Sequence, residues 1–142
     1  MDTFKEEIQL TIPSDARYLR ILRSTLESLA VLFNFDETDI RDITLAANEA
    51  CSNIIRHAYS NRNDRPIFVT IRGFPDHLTI ELVDHGKPLD PAKLQARQLT
   101  DVRPGGLGLH LIHTLADEVI YDTEFEDGNR IVLIKRRKSG HE

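Results

Sequence analysis

Between Leu19 and Ala58 the apolar residues of this chain recur at three- and four-residue steps. Between Ile67 and Val83 they alternate with polar ones. That change of period, from a helix face to a strand face, constrains the fold more than any other feature. Leu19, Leu22, Leu26, Leu29 and Phe33 form the stripe of a first helix, with Arg17, Arg20 and Arg23 off the stripe and expected in solvent. Asn34 to Asp36 breaks the pattern, and Asp36 is placed to cap a second helix. Its stripe is Ile40, Ile43, Ala47, Ala50, Ile54 and Ala58, and it ends near Tyr59 before the polar loop Ser60 to Arg65. Two strands follow, Ile67-Val69-Ile71 and Leu78-Ile80-Leu82, joined by Gly73-Phe74-Pro75-Asp76.

The flanks complete the pattern. Ile8, Leu10 and Ile12 read as a short first strand that stops at Pro13-Ser14, with Ser14 expected to cap a helix. After Asp84-His85-Gly86 the periodicity dissolves. Residues 87–104 hold three prolines and few large apolar groups, a length typical of functional loops, with a short helix expected at 94–99. Leu107, Leu111 and Leu115 mark a third helix. Closing strands are expected at 118–123 and 130–136, with Asp127-Gly128 as the hairpin turn. The order β-α-α-β-β-loop-α-β-β shows no internal repeat and no second-domain boundary. The expected fold is α+β, a two-layer α/β sandwich. It has a mixed sheet of about five strands and three main helices on one face, in a single domain over 1–142.

Composition excludes several classes. Hydrophobic residues make up 40% and charged residues 29%, an ordinary globular balance. The net charge of -5 argues against direct binding to nucleic acid. The basic run Lys135-Arg136-Arg137-Lys138 reads as a solvated end to the last strand. Cys51 is the single cysteine, so no internal disulfide forms; it reads as a small core residue in a reducing compartment. The first ten residues lack the apolar core of a signal peptide, and no segment is long enough to span a bilayer. A cytoplasmic protein is expected. His85, His110 and His113 lack zinc-ligand spacing.

Three motifs carry chemistry. Glu49, Asn53 and His57 stand at i, i+4 and i+8 on the second helix and share a face away from the apolar stripe. An amide oxygen suits Mg²⁺, and a carboxylate one turn away can take a proton from a hydroxyl; an ordinary polar helix face would look the same, and His57 reads better as a helix-end residue than as a phosphoacceptor. Asp84-His85-Gly86 puts a carboxylate at a strand end, able to accept from an amino group such as the N6 of adenine. Gly86 would let a flat base approach the backbone, although Asp-x-Gly turns are common. Gly105-Gly106-Leu107-Gly108-Leu109 opens a helix whose free N–H groups can meet phosphate oxygens. It is neither a Walker A loop nor a dinucleotide fingerprint.

Together and in this order, the motifs resemble those of the GHKL ATPase family, with its Bergerat ATP-binding fold. The residues from Glu49 through His57 match the family's N box, Asp84-His85-Gly86 its G1 box, and the glycine string its G2 box. The strings Glu-Ala-x-x-Asn-x-x-x-His-Ala-Tyr and Gly-Gly-Leu-Gly-Leu-His-Leu are similar to those of stand-alone anti-sigma-factor serine/threonine kinases. So is Ala-Asp-Glu-Val at Ala116 to Val119. The resemblance implies ATP and Mg²⁺ as cofactors and Glu49 as general base. It implies that Asn53 binds the metal, that His57 belongs to the cofactor site, and that Asp84 and Gly86 lie at the base. Arg103, Gly105, Gly106, Leu107, Gly108 and Leu109 would lie at the phosphates. It implies phosphorylation of a STAS-domain antagonist and sequestration of a sigma factor or other regulator, and it makes a homodimer a family expectation. Lys87-Pro88 replaces the second glycine that many relatives carry after the G1 box. The alternative is a nucleotide-gated binding module without kinase activity, for which the first-helix arginines are a candidate docking surface. A detached histidine-kinase catalytic part fits less well, since no upstream helix pair bears a phosphoacceptor His. A topoisomerase-like ATPase would need another domain.

Overall fold

A computed structural model describes residues 6–89 and 111–138. Strand β1 (Glu6–Pro13) passes through a 3-10 turn (Ala16–Tyr18) into α1 (Leu19–Leu32). Helix α2 (Glu37–Asn53) follows and widens into a π turn (Ile54–Ala58). Strands β2 (Pro66–Gly73) and β3 (His77–Asp84) come next. A third helix, α3, is described over residues 111–115. Strands β4 (Glu118–Tyr121) and β5 (Asn129–Arg136) close the fold.

The helix ends follow from local chemistry. Asn34 takes the left-handed conformation (φ 66°) that stops α1. Asp36 starts α2, its carboxylate accepting from Asp39 N at 2.9 Å, as its place in the sequence predicts. Ser14 is not a helix cap. Asp15, one residue later, fills that role by accepting from Arg17 N at 2.9 Å. Ser14 is buried instead; its hydroxyl donates to Arg62 O and accepts from Arg65 N at 3.2 Å, pinning the 60–65 loop to the end of β1.

The sheet order is β1-β2-β3-β5-β4 and every pairing is antiparallel. The expected mixed sheet is corrected here, for a topological reason. The α1–α2 hairpin returns the chain to the end of the sheet where β1 finished, so β2 runs back along β1. β3 and β4 do point the same way, but β5 lies between them. The turn before β5 is also longer than a two-residue hairpin. It spans 122–128, with Asp127-Gly128 at its end.

One face of the sheet carries Ile67, Val69, Ile71, Leu78, Ile80, Leu82 and Leu133, all fully or almost fully buried. Leu22 and Leu26 of α1 and Ile43, Ala46 and Ala47 of α2 meet them in one core. Each such Leu or Ile stabilises the fold by about 1.5–3 kcal/mol. On the opposite face Phe68 and Ile120 are exposed. Cys51 belongs to the core, and burial pushes its thiol up to about 12. Lys135 departs from expectation. It points to the helix side of β5 and is buried, donating to Leu115 O at 2.9 Å and facing Asp39, Asp42 and Asp117 at 3.7–3.9 Å. Strand alternation puts it inward, and only the carboxylates of α2 and the α3–β4 turn make that tolerable. Among the described residues no helix is long and apolar enough to cross a membrane.

Candidate functional site

Asp84 is the last residue of β3 and has no exposed surface. Its Oδ1 accepts from Gly86 N at 2.8 Å and from Asn129 Nδ2 at 3.0 Å. Its Oδ2 is equally buried and has no hydrogen-bond partner among the described residues. Burial raises the pKa of this carboxyl, against the lowering effect of the Asn129 and Gly86 hydrogen bonds and of His85. An orphaned carboxylate oxygen costs about 1–3 kcal/mol or more unless something else meets it.

A small cavity of about 60 Å³ lies beside it. Ala50, Asn53 and Ile54 of α2 form one wall. Ile112, Tyr121 and Ile131 form the apolar side opposite, and Asp84 and Asn129 stand together on the lining. Burial also pushes the Tyr121 hydroxyl up to about 12, so it remains a neutral donor.

The structure brings Asn53 and Asp84 to one cavity. Asn53 is buried, and its Oδ1 accepts from Arg56 Nη2 at 2.9 Å. Glu49, one turn earlier on α2, is half-buried, and His57 sits half-buried in the π turn; neither is among the residues lining the cavity. π turns are frequent at functional sites. Arg103, Gly105, Gly106, Leu107, Gly108 and Leu109, and the helix expected at 94–99, lie outside the described residues.

Gly86 also has a packing reason to be glycine. A Cβ there would stand 2.4 Å from Ala58 O. The glycine therefore lets the Asp84–Lys87 turn dock on the π turn that follows α2. Lys87 N donates to the same Ala58 O at 2.9 Å. Tyr59 seals the joint, its hydroxyl accepting from His85 N at 2.8 Å and donating to Pro66 O at 2.6 Å.

Sequence reasoning missed Arg56, Tyr121 and Asn129. Arg56 was legible in principle, three residues after Asn53 on the same helix. For Asn129 there was no local signal. Its partners Asp84, Lys87 and Leu89 lie at least 40 positions away.

Fold and cavity define a small α/β sandwich with a built-in acceptor at a helix–sheet junction. Residues 12–135 match the family model of the histidine kinase-like ATPase domain. The chain is 33% identical over 127 residues to the serine-protein kinase RsbW of Bacillus velezensis, covering 84% of this chain and 79% of that protein. It is 33% identical over 138 residues to the RsbW of Bacillus cereus, covering 92% and 84%. The crystal structure of the RsbU and RsbW domains of Rv1364c from Mycobacterium tuberculosis matches with a TM-score of 0.68 at 19% identity. It covers 94% of this chain and 32% of that longer one, and it supports the fold. The chain belongs to the histidine kinase-like ATPase family and, within it, to the RsbW group of serine-protein kinases.

Proposed function

We propose that this protein is an ATP-dependent serine/threonine kinase and a partner switch. It binds Mg-ATP, phosphorylates a STAS-domain antagonist and sequesters a sigma factor or another regulator. The enzyme class follows from its family. The nucleotide site is carried by one observation: Asp84 lines the cavity and keeps a buried Oδ2 without a hydrogen-bond partner among the described residues. An exocyclic amino group of adenine is the donor that would satisfy it.

The rest of the site follows from α2. Glu49 stands one turn before Asn53, about 6 Å along the axis. In phosphoryl transfer the bond from the γ-phosphorus to its bridging oxygen breaks and a bond to the substrate hydroxyl oxygen forms. The hydroxyl proton passes to Glu49, and ADP departs. Asn53 would hold Mg²⁺, which neutralises charge between the phosphates. Asn53 lines the cavity, and its amide oxygen has a second lone pair beside the one that accepts from Arg56. Arg103 and the string Gly105-Gly106-Leu107-Gly108-Leu109 would contact the phosphates, with His57 at the edge of the site. We assign the protein to the cytoplasm as a single domain over 1–142, with a homodimer as the family expectation and no direct binding to nucleic acid. The single cysteine and the net charge of -5 support the compartment and the last point.

Transfer of labelled γ-phosphate from Mg-ATP to STAS-domain proteins of the source organism tests this. Wild type labels one of them. Glu49→Gln lowers transfer by ~10²–10⁴-fold with ATP binding intact. Equal transfer by the variant removes Glu49 as base. No transfer by wild type, with ATP bound, points to a nucleotide-gated binding module.

A further inference from the structure

The segment leading into β5 is fastened to the end of β3 by more contacts than a turn needs. His85 Nδ1 donates to Asp127 O at 2.7 Å. Gly128 has φ 131°, and a Cβ there would stand 2.0 Å from Asp84 O. Only glycine permits that backbone and that approach. Asn129 then makes three bonds at once. Its Nδ2 donates to Asp84 Oδ1 at 3.0 Å and to Lys87 O at 2.9 Å, and its Oδ1 accepts from Leu89 N at 2.8 Å.

These bonds fix the side chain in full. Both amide hydrogens of Asn129 are engaged, so it has no donor left for a ligand. Asp84 Oδ1 is held from two sides, by Gly86 N and by Asn129, which leaves Oδ2 as the oxygen that can serve a ligand. A carboxylate at the end of a strand would otherwise rotate about χ2, because that torsion is broad.

We infer that Asn129 is the positioning residue for base recognition: it locks the Asp84 carboxylate so that one oxygen faces the cavity, and it ties residues 87–89 to the same point. The inference rests on Asp84 reading the exocyclic amino group of adenine. Asn129 does not touch the base; it makes the acceptor directional and so sets the preference for a 6-amino purine.

The test compares two nucleotides on the full chain, ATP and purine-riboside triphosphate, which lacks only the 6-amino group. Wild type binds ATP roughly 10- to 100-fold more tightly, the worth of a hydrogen bond to a charged acceptor. In Asn129→Ala that ratio collapses toward one, while affinity for purine-riboside triphosphate stays close to that of wild type. Asn129→Ser, which retains one donor, gives an intermediate ratio. A role confined to structure would weaken both nucleotides together and leave the ratio unchanged, and that result overturns the inference while leaving Asp84 as the base acceptor. Loss of folding in both variants, seen by thermal unfolding, overturns it too, because Asn129 would then be a structural residue. A wild-type ratio near one removes Asp84 as the reader of adenine, and the inference about Asn129 falls with it.

Discussion

Among the described residues two aspartates each keep a buried oxygen without a hydrogen bond, Asp84 Oδ2 at the end of β3 and Asp39 Oδ2 in the first turn of α2. They look alike until their surroundings are compared. Asp39 has two lysines near its other oxygen, Lys138 Nζ at 3.4 Å and Lys135 Nζ at 3.9 Å, and it lies at the positive end of a helix. Its charge is compensated within the fold. Asp84 has hydrogen-bond donors on one oxygen and no ion pair among the described residues, and it lines a cavity. An orphaned oxygen therefore marks a ligand site only where the protein supplies no cation and leaves a cavity. The first aspartate secures the molecule, and the second leaves a charge for something outside it to answer.

Stability measurements would break this comparison most directly at Lys135. Lys135→Met removes the cation shared by Asp39, Asp42 and Asp117 and leaves Lys138 beside Asp39. It lowers unfolding stability by about 3 kcal/mol, the low end for breaking a buried pair. Purified variant and wild type are compared by denaturant titration, and nucleotide affinity is expected to stay within error. A loss below about 0.5 kcal/mol would mean that the cluster is solvated and that its burial counts for little.

The next effect is at the other aspartate. Asp84→Asn weakens ATP binding by about 1.5–3 kcal/mol, since the amide keeps one acceptor but loses the charge. Its stability without nucleotide does not fall, because an uncompensated buried charge has gone. Calorimetric titration and thermal unfolding on the same sample separate the two. If stability fell and affinity held, the roles assigned to Asp84 and Asp39 would have to be exchanged.

The smallest effect is in pH. Burial raises the folded-state pKa of Asp84 above its unfolded value. Its contribution to stability is therefore complete below the unfolded value and is lost as pH rises through the folded one. ATP affinity runs the opposite way, because base recognition needs the ionised form. Each slope is at most about 1.4 kcal/mol per pH unit. His85 at the same strand end, and Cys51 and Tyr59 on the packed segment, are the other ionisable groups nearby. The Asp84→Asn variant isolates the term, and both slopes should flatten in it.

Much of this was legible beforehand, for identifiable reasons. The stripes of α1 and α2 and the alternation of β2 and β3 placed the core, because burial on one face leaves a period in the chain. Asp36 and Asn34 acted where their side-chain chemistry predicts. Asp84 stood out by its place at a strand end, and Asn53 by its step from Glu49. What failed was whatever depended on partners far along the chain. Lys135 looked like part of a solvated basic run until three aspartates from α2 and the α3–β4 turn were seen around it. The packing of Gly86 against Ala58, 28 positions earlier, was not legible either.

The sequence by itself determined the elements, their order and the residue types at the site, since these rest on interactions within a few positions: helix periodicity, caps, turns and strand alternation. The tertiary structure alone decided that the sheet is antiparallel, that Lys135 is inside, and that Asn129 holds Asp84. The last two are set by contacts between residues at least 18 positions apart, and the strand order by pairings such as Asp84 with Asn129; these become neighbours only when the core closes.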